Sequence, residues 1–239
     1  MADRHGAAVP DDLDLLDRQI ATLFRLDAAG DLLAINEPGE PPAPRLFLGR
    51  TLAGNRWHLR HDLPSALRAE LAHILAAEPR ATDLAASPVM AAALRAALAT
   101  HAPIVNEWRG PAWSFPEVLP PQKTEVTLLT DVAPLRRTFP DWAADFATSQ
   151  PGAAILQGGE AVAVCFSART STGAAEAGAN TLPEWRGRGY ARTVVGVWAG
   201  AVRATGRIPL YSTSWDNLAS RGVARSLGLR LYAADFHLT

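Results

Sequence analysis

Residues 181–191 read TLPEWRGRGYA, and this stretch decides how the rest of the chain is interpreted. A run of small residues over 174–181 predicts a strand before it, and an apolar pattern over 191–204 predicts a helix after it. A glycine-rich turn that opens a helix lets backbone N–H groups approach an anion, with the positive end of the helix dipole behind them. Arg186 and Arg188 add charge that can pair with phosphate. The stretch therefore predicts a pyrophosphate-binding turn.

Two common phosphate-binding loops do not fit this turn. A Walker-type loop needs Lys-Ser or Lys-Thr after its second glycine, and the only lysine, Lys123, lies far upstream. The dinucleotide fingerprint needs a third glycine or an alanine where this chain has Arg192. A third pattern, Arg/Gln-x-x-Gly-x-Gly/Ala, is matched in full by Arg186, Gly189 and Ala191.

A second motif lies downstream, where residues 217–229 read NLASRGVARSLGL. Asn217 is a good N-cap, and Gly228 suits the left-handed conformation past a helix end. Residues 210–215 before the motif alternate in character and predict a strand. The Arg-rich turn and this second motif together resemble the acetyl-CoA-binding motifs of the GNAT acyltransferase superfamily, through Arg186, Gly189, Ala191, Asn217, Ser220, Gly228 and Leu229.

The resemblance covers roughly residues 124–239 and implies an α/β (α+β) fold. A GNAT-like mixed, mostly antiparallel central sheet flanked by helices is expected over residues 121–239. Residues 1–120 are expected to form an N-terminal α/β lobe, and a degenerate copy of the second half remains an open alternative for them.

The resemblance also implies acetyl-CoA as the acyl donor and no metal. The turn would bind the pyrophosphate through its N–H groups, and an exposed strand edge would pair with the pantetheine arm. The cofactor-binding positions implied in this way are Ala179, Asn180, Thr181, Arg186, Gly187, Arg188, Gly189, Tyr190, Ala191, Arg192, Asn217 and Ser220.

Acyl transfer to an amine also requires proton chemistry. Several members of the superfamily carry a general base on the strand before the turn, where this chain has Glu176. Strand alternation alone leaves open whether Glu176 faces the cleft or solvent. Many relatives use a tyrosine as general acid at the position of Ala224, so the proton donor is in doubt. Water and three side chains are the substitutes considered: Tyr190, Ser214 and Tyr232.

Composition limits the function classes. The chain has 239 residues, 48% hydrophobic residues and a formal net charge of −1. The near-neutral charge argues against general nucleic-acid binding. Cys165 is the single cysteine, so a disulfide framework is excluded and Cys165 is predicted to be a core residue. The polar start, which includes His5, and the shortness of the apolar runs predict a cytoplasmic protein with no membrane partner.

Local patterns predict further elements. The N-terminal half is expected to contain an opening helix over 13–24, two strands within 45–60, helices starting at Pro64 and at Ser87-Pro88, and a Pro- and Trp-rich connector over 108–121. The C-terminal half is expected to begin with a strand over 125–129, helical spacing over 134–149, and a hairpin of strands 153–156 and 161–167.

These observations predict an N-acetyltransferase that transfers acetyl from acetyl-CoA to a primary amine by direct attack in a ternary complex. The residues of the second motif also resemble those of bacterial GNAT enzymes that have an extra N-terminal region. A small-molecule amine is favoured over a protein acceptor, and the oligomeric state is left open. Two alternatives remain: a non-catalytic acyl-CoA-binding or sensing module, and an interaction protein whose N-terminal half dominates function.

Overall fold

The computed structural model describes residues 10–121 and 124–239. The sequence interpretations that involve His5 and Lys123 therefore lie outside the described residues. The helices are α1 (Asp12–Leu23), α2 (Ser65–Ala76), α3 (Ala91–Ala99), α4 (Pro140–Ala144), α5 (Tyr190–Ala204) and α6 (Leu218–Ser226). The strands are β1 (Phe24–Leu26), β2 (Leu32–Ile35), β3 (Leu46–Arg50), β4 (Asn55–Leu59), β5 (Glu107–Ser114), β6 (Thr127–Leu128), β7 (Gly152–Gln157), β8 (Glu160–Thr170), β9 (Ala174–Thr181), β10 (Ile208–Ser212) and β11 (Arg230–Leu238). Within these ranges no helix is long and apolar enough to cross a bilayer.

One nine-stranded sheet organises the described residues, in the order β4-β3-β11-β5-β10-β9-β8-β7-β6. Only β9 and β10 run parallel, and every other neighbouring pair is antiparallel. A separate hairpin is formed by β1 and β2. The predicted mixed, mostly antiparallel sheet flanked by helices is confirmed.

The predicted connector over 108–121 was wrong for its first part, because Glu107–Ser114 is β5, a central strand of the sheet. It lies between β10 and β11, so strands from both halves of the chain share one sheet. Pro111 is tolerated because it faces the segment after the end of β10, where its carbonyl accepts from Thr213 N. Gly110 is needed because a Cβ there would lie 1.9 Å from the Thr213 carbonyl oxygen.

The two faces of the sheet are covered by different helices. Consecutive residues of a strand point to opposite faces, and Ala174 and Ala175 of β9 show which helix covers each. Ala174 packs in a cluster with Leu16 and Ile20 of α1, whereas Ala175 packs with Trp198 of α5. Further along the sheet, α2 and α3 pack on β3 and β11. We call the face of the sheet that α1 covers the α1 face, and the face that α5 covers the α5 face.

Local signals account for most of the elements. The φ angles of Gly158 (59°) and Gly159 (86°) are positive, as the predicted turn between β7 and β8 requires. The helix expected to start at Ser87-Pro88 begins at Ala91 instead. Just before it, the Glu78 carboxylate accepts hydrogen bonds from Val89 N and Met90 N.

Two helix predictions need correction. The helical spacing over 134–149 gives a 3₁₀ turn at Ala133–Leu135 and the short α4, because Pro140 has no N–H to continue a helix and can only start one. For α5, spacing of i, i+3, i+4 and i+7 in the sequence predicts a buried stripe of Val194, Val197, Trp198 and Ala201. The buried apolar residues are Val194, Val195, Trp198, Ala199 and Val202, so the buried face is rotated relative to the prediction.

Candidate active site

The two parallel strands β9 and β10 separate soon after they meet. They pair only over Ala174–Glu176 and Ile208–Leu210. Beyond that point β9 continues to Thr181 and is paired with β8 alone. Among the described strands none pairs with the gap-side edge of β9 over 177–181, which is the geometry that allows an extended chain to add to a sheet edge.

A cavity of about 620 Å³ fills the gap on the α5 face. Its walls are the end of β9, the turn before α5, the first turn of α5, one side of α6 and Tyr211 of β10. The lining residues are Ala179, Asn180, Thr181, Trp185, Arg186, Gly187, Gly189, Tyr190, Ala191, Arg192, Tyr211, Asn217, Ala219, Ser220, Gly222, Val223 and Ser226.

The turn at the mouth of this cavity has the backbone that its sequence demands. Gly187 (φ 74°) and Gly189 (φ 77°) both lie in the left-handed region. Gly189 is the N-cap of α5, and it offers no side chain to cap the helix. The first intrahelical bond runs from Thr193 N to Gly189 O, so the N–H groups of Tyr190, Ala191 and Arg192 have no acceptor inside the helix. Such N–H groups can bind an anion.

The charged side chains described in the cavity wall are positive, which is the sign that suits a bound anion. Arg186 and Arg192 are among the lining residues described, and no carboxylate is among them. Arg186 Nε donates to Thr181 O at 3.2 Å, and Arg192 Nε donates to Ser226 O at 3.2 Å. These bonds hold both guanidinium groups at the cavity wall, where they would attract phosphate.

The second motif forms the opposite wall. The Asn217 side chain accepts a hydrogen bond from Ser220 N at 3.0 Å, which confirms the predicted N-cap of α6. Gly228 has a φ of 68° just past the end of α6, which confirms its predicted conformation. The helix thus brings Ser220, Gly222 and Val223 to the cavity.

Comparison with known proteins agrees with this geometry. The family model described as GNAT acetyltransferase matches residues 129–234. We call residues 129–234, which match this family model, the GNAT domain. The match includes the cavity and the gap between β9 and β10, and α1 to β5 lie outside it.

Solved structures similar to this chain include three GNAT proteins. A GCN5-related N-acetyltransferase-like protein from Streptococcus suis is 18% identical over 56% of this chain and 62% of that chain, with a TM-score of 0.44. An acetyltransferase from the GNAT family from Colwellia psychrerythraea is 11% identical over 95% of this chain and 96% of that chain, with a TM-score of 0.48. A GCN5-related N-acetyltransferase from Sphaerobacter thermophilus is 17% identical over 63% of this chain and 57% of that chain, with a TM-score of 0.45.

This chain spans less than two thirds of the length of several of the solved GNAT proteins it matches. No curated protein sequence matches it significantly.

The GNAT domain brings most of the predicted cofactor positions together. All of them except Arg188 line the cavity. Arg188 is exposed and its guanidinium carbon lies 4.6 Å from the centre of the Trp185 ring, over which it stacks. Trp185 stacks in turn on Tyr190. Trp185, which belongs to the 181–191 stretch but not to the predicted cofactor positions, is thus a cavity residue. Cofactor contact at these positions remains a prediction.

Glu176 occupies the point where β9 and β10 part. It is two residues from Ala174 along β9, so its side chain lies on the α1 face, and it is only 3% exposed. The orientation that the sequence left open is therefore settled: Glu176 is neither a solvated carboxylate nor part of the cavity lining described above. Ser212 Oγ donates to Glu176 Oε1 at 2.7 Å, while Oε2 is buried without a hydrogen-bond partner among the described residues. Burial raises the pKa of Glu176, and the Ser212 hydrogen bond opposes that shift.

A second buried carboxyl lies on the same face. Asp235 of β11 accepts from Gln19 Nε2 at 2.7 Å, and Gln19 Oε1 accepts from the Tyr232 hydroxyl at 2.9 Å. Burial, reinforced by the charge of Glu176, raises the pKa of Asp235 to about 8. Gln19 belongs to α1, so the N-terminal helix closes this face of the GNAT domain.

The three side chains considered as substitute proton donors differ in their position relative to the cavity. Tyr232 is fully buried under α1, on the face opposite the cavity. Tyr190 is the first residue of α5, beside the turn at the cavity mouth. Ser214 does not appear among the described lining residues.

Proposed function

We propose that this protein transfers an acetyl group from acetyl-CoA to a primary amine by direct attack in a ternary complex. The observation that carries the proposal is the cavity that runs from the Gly187–Arg192 turn along the free β9 edge to the gap beside Glu176. GNAT acetyltransferases use acetyl-CoA as donor, and the residues present fit that molecule.

The fit of the donor follows from the two ends of the cavity. At the mouth, the free N–H groups of α5 and the guanidinium groups of Arg186 and Arg192 suit a pyrophosphate. Along the wall, the gap-side edge of β9 at Ala179, Asn180 and Thr181, which pairs with no described strand, suits the amides of a pantetheine arm. Since the thioester is at the far end of that arm, it would reach the gap between β9 and β10.

Glu176 is the proposed base. A primary amine with a pKa of about 10.4 is neutral only about once in a few thousand molecules at pH 7, and deprotonation costs roughly 4–5 kcal/mol. A carboxylate whose pKa is raised by burial is a better proton acceptor than an ordinary one at neutral pH. Glu176 lies at the point where β9 and β10 part, so the amine would be deprotonated in the gap between the two strands.

Direct attack is favoured over a covalent acyl-enzyme. Cys165 is fully buried in the cluster around Trp198, and burial raises its pKa well above the ordinary range. A protonated, enclosed thiol is a poor nucleophile. The nucleophile is therefore the substrate amine itself.

The proposal is tested by CoA thiol release from acetyl-CoA in the presence of a panel of small primary amines and lysine-containing peptides. We expect release to depend on an amine, and Glu176→Gln to lower kcat by about 10²–10⁴-fold with an unchanged Kd for acetyl-CoA. Gln keeps an oxygen that can accept from Ser212, so the fold should be preserved. Tight acetyl-CoA binding with no release for any amine would favour a binding or sensing module instead.

A further inference from the structure

The GNAT domain has no tyrosine at position 224, where its relatives' general acid is expected, but Tyr211 of β10 lines the cavity. Ala224 of α6 is fully buried in the cluster that also contains Tyr211 of β10.

Tyr211 is placed at the inner end of the donor cavity. It is the first β10 residue beyond Leu210, the last position at which β10 pairs with β9. It lines the cavity while its ring is held by Trp113 and Phe115 at centroid distances of 5.9 and 6.4 Å. Because Tyr211 and Ser212 are consecutive in a strand, they point to opposite faces of the sheet. Tyr211 faces the donor, and Ser212 faces Glu176.

The Tyr211 hydroxyl has a partner that can orient it. It shares a 2.6 Å hydrogen bond with Ser220 Oγ, on the second cavity wall. A serine hydroxyl can donate as well as accept. When Ser220 Oγ donates, the Tyr211 hydroxyl donates to Ser220 O at 3.4 Å, a long bond that it can exchange for an acceptor bound in the cavity.

We propose that Tyr211 is a catalytic residue that donates a hydrogen bond to the departing sulfur of CoA, with Ser220 as the positioning residue. This inference rests on the proposed function. When the amine has attacked, the C–S bond breaks and its electron pair goes to sulfur. The Tyr211 hydroxyl stabilises that developing charge, the amine proton passes to Glu176, and the thiolate takes its proton from water.

The acid–base properties of the surroundings suit a donor that stays protonated. Burial raises the pKa of Tyr211 to about 12, the Ser220 bond opposes the shift, and the charges of Cys165 on β8 and Glu176 on β9 add to it. A phenol with this pKa does not hand its proton fully to a thiolate of ordinary pKa near 8.5, so its role is charge stabilisation by hydrogen bonding.

The test measures the thiol of bound CoA and needs no acceptor amine. CoA is bound to the wild-type protein, to Tyr211→Phe and to the matched control Tyr232→Phe, and its thiolate is titrated by ultraviolet absorbance against samples loaded with desulfo-CoA. Cys165 should not interfere, because its pKa is well above the ordinary range. A hydrogen bond to the charged form lowers a pKa, so the bound thiol should titrate about one pH unit higher in Tyr211→Phe than in the other two.

Equal titration in all three proteins would overturn the proposal. Phe keeps the ring contacts with Trp113 and Phe115, so Tyr211→Phe should fold. If it does not, Ser220→Ala must raise the pKa of the bound CoA thiol by a smaller amount, or the proposal is wrong. With an accepted amine, Tyr211→Phe should also lower kcat about 10- to 100-fold at unchanged KM for acetyl-CoA. A wild-type protein that acetylates no amine would contradict the proposed function, while the thiol titration would still decide the role of Tyr211.

Discussion

Ser212 donates a 2.7 Å hydrogen bond to Glu176 at the point where β9 and β10 separate. This bond joins the proposed base to β10. The residue before Ser212 on that strand, Tyr211, faces the donor cavity. The two proton-related side chains of the proposed reaction therefore lie on opposite faces of one sheet, Glu176 on β9 and Tyr211 on the neighbouring strand β10.

Removing the Ser212 hydroxyl should shift the pH dependence of the reaction. The bond stabilises the charged form of Glu176, so its loss in Ser212→Ala raises the pKa of Glu176 further. If Glu176 must be ionised to act, the rising limb of kcat against pH should move to higher pH. Ser212→Thr keeps a hydroxyl and serves as the control. An unchanged limb in Ser212→Ala would show that Glu176 is not the group that titrates.

Gly189 should be required for donor binding and not for folding. A Cβ at Gly189 or at Gly206 would meet no atom within 4 Å, and both residues have positive φ, 77° and 81°. Gly189→Leu and Gly206→Leu thus suffer a similar backbone strain of about 1–2 kcal/mol, at opposite ends of α5. Calorimetry should show loss of acetyl-CoA binding in Gly189→Leu only. Equal affinities in the two variants would remove the turn from the donor site.

Asp235 should make the protein less stable as pH rises. Its pKa is raised from 3.8 to about 8, so the folded protein binds more protons than the unfolded chain between these values. The free energy of unfolding then falls with increasing pH in this window, by up to about 1.4 kcal/mol per pH unit for one proton. Urea unfolding at several pH values should show a smaller pH dependence for Asp235→Asn. A wild-type slope retained in the variant would contradict the assignment.

The C-terminal half should not fold by itself. β5 lies between β10 and β11, and Gln19 of α1 bonds to Asp235 of β11. A fragment of residues 124–239 would leave the facing edges of β10 and β11 unpaired and uncover the α1 face. We expect circular dichroism of this fragment to show no cooperative thermal transition, in contrast to the full chain. A cooperative transition would support two separable domains, as the sequence suggested.

The sequence predicted the parts of the site that depend on local signals. The bounds of β9, the turn with Gly187 and Gly189, and the N-cap at Asn217 all follow from residue types at fixed spacings. β5 was missed because its Pro111 and Gly110 are typical of loops, and only the passing Thr213 segment explains them.

Long-range placement was beyond the sequence. Strand alternation divides the residues of β9 between the two faces of the sheet, but it does not say which helix covers each face. The sequence therefore could not decide on which face Glu176 lies. Tyr211 was missed for a similar reason: its role depends on the distance across the sheet from β10 to Ser220 of α6.

The central claim is most directly tested by following an isotopic label from the acetyl group of acetyl-CoA in a single turnover with an accepted amine. Mass spectrometry of the quenched mixture should find the label on the amine, in an amount equal to the CoA released, and none on the protein. Label on Cys165 or another side chain before the amine, or CoA release with no labelled amine, would contradict direct transfer from acetyl-CoA.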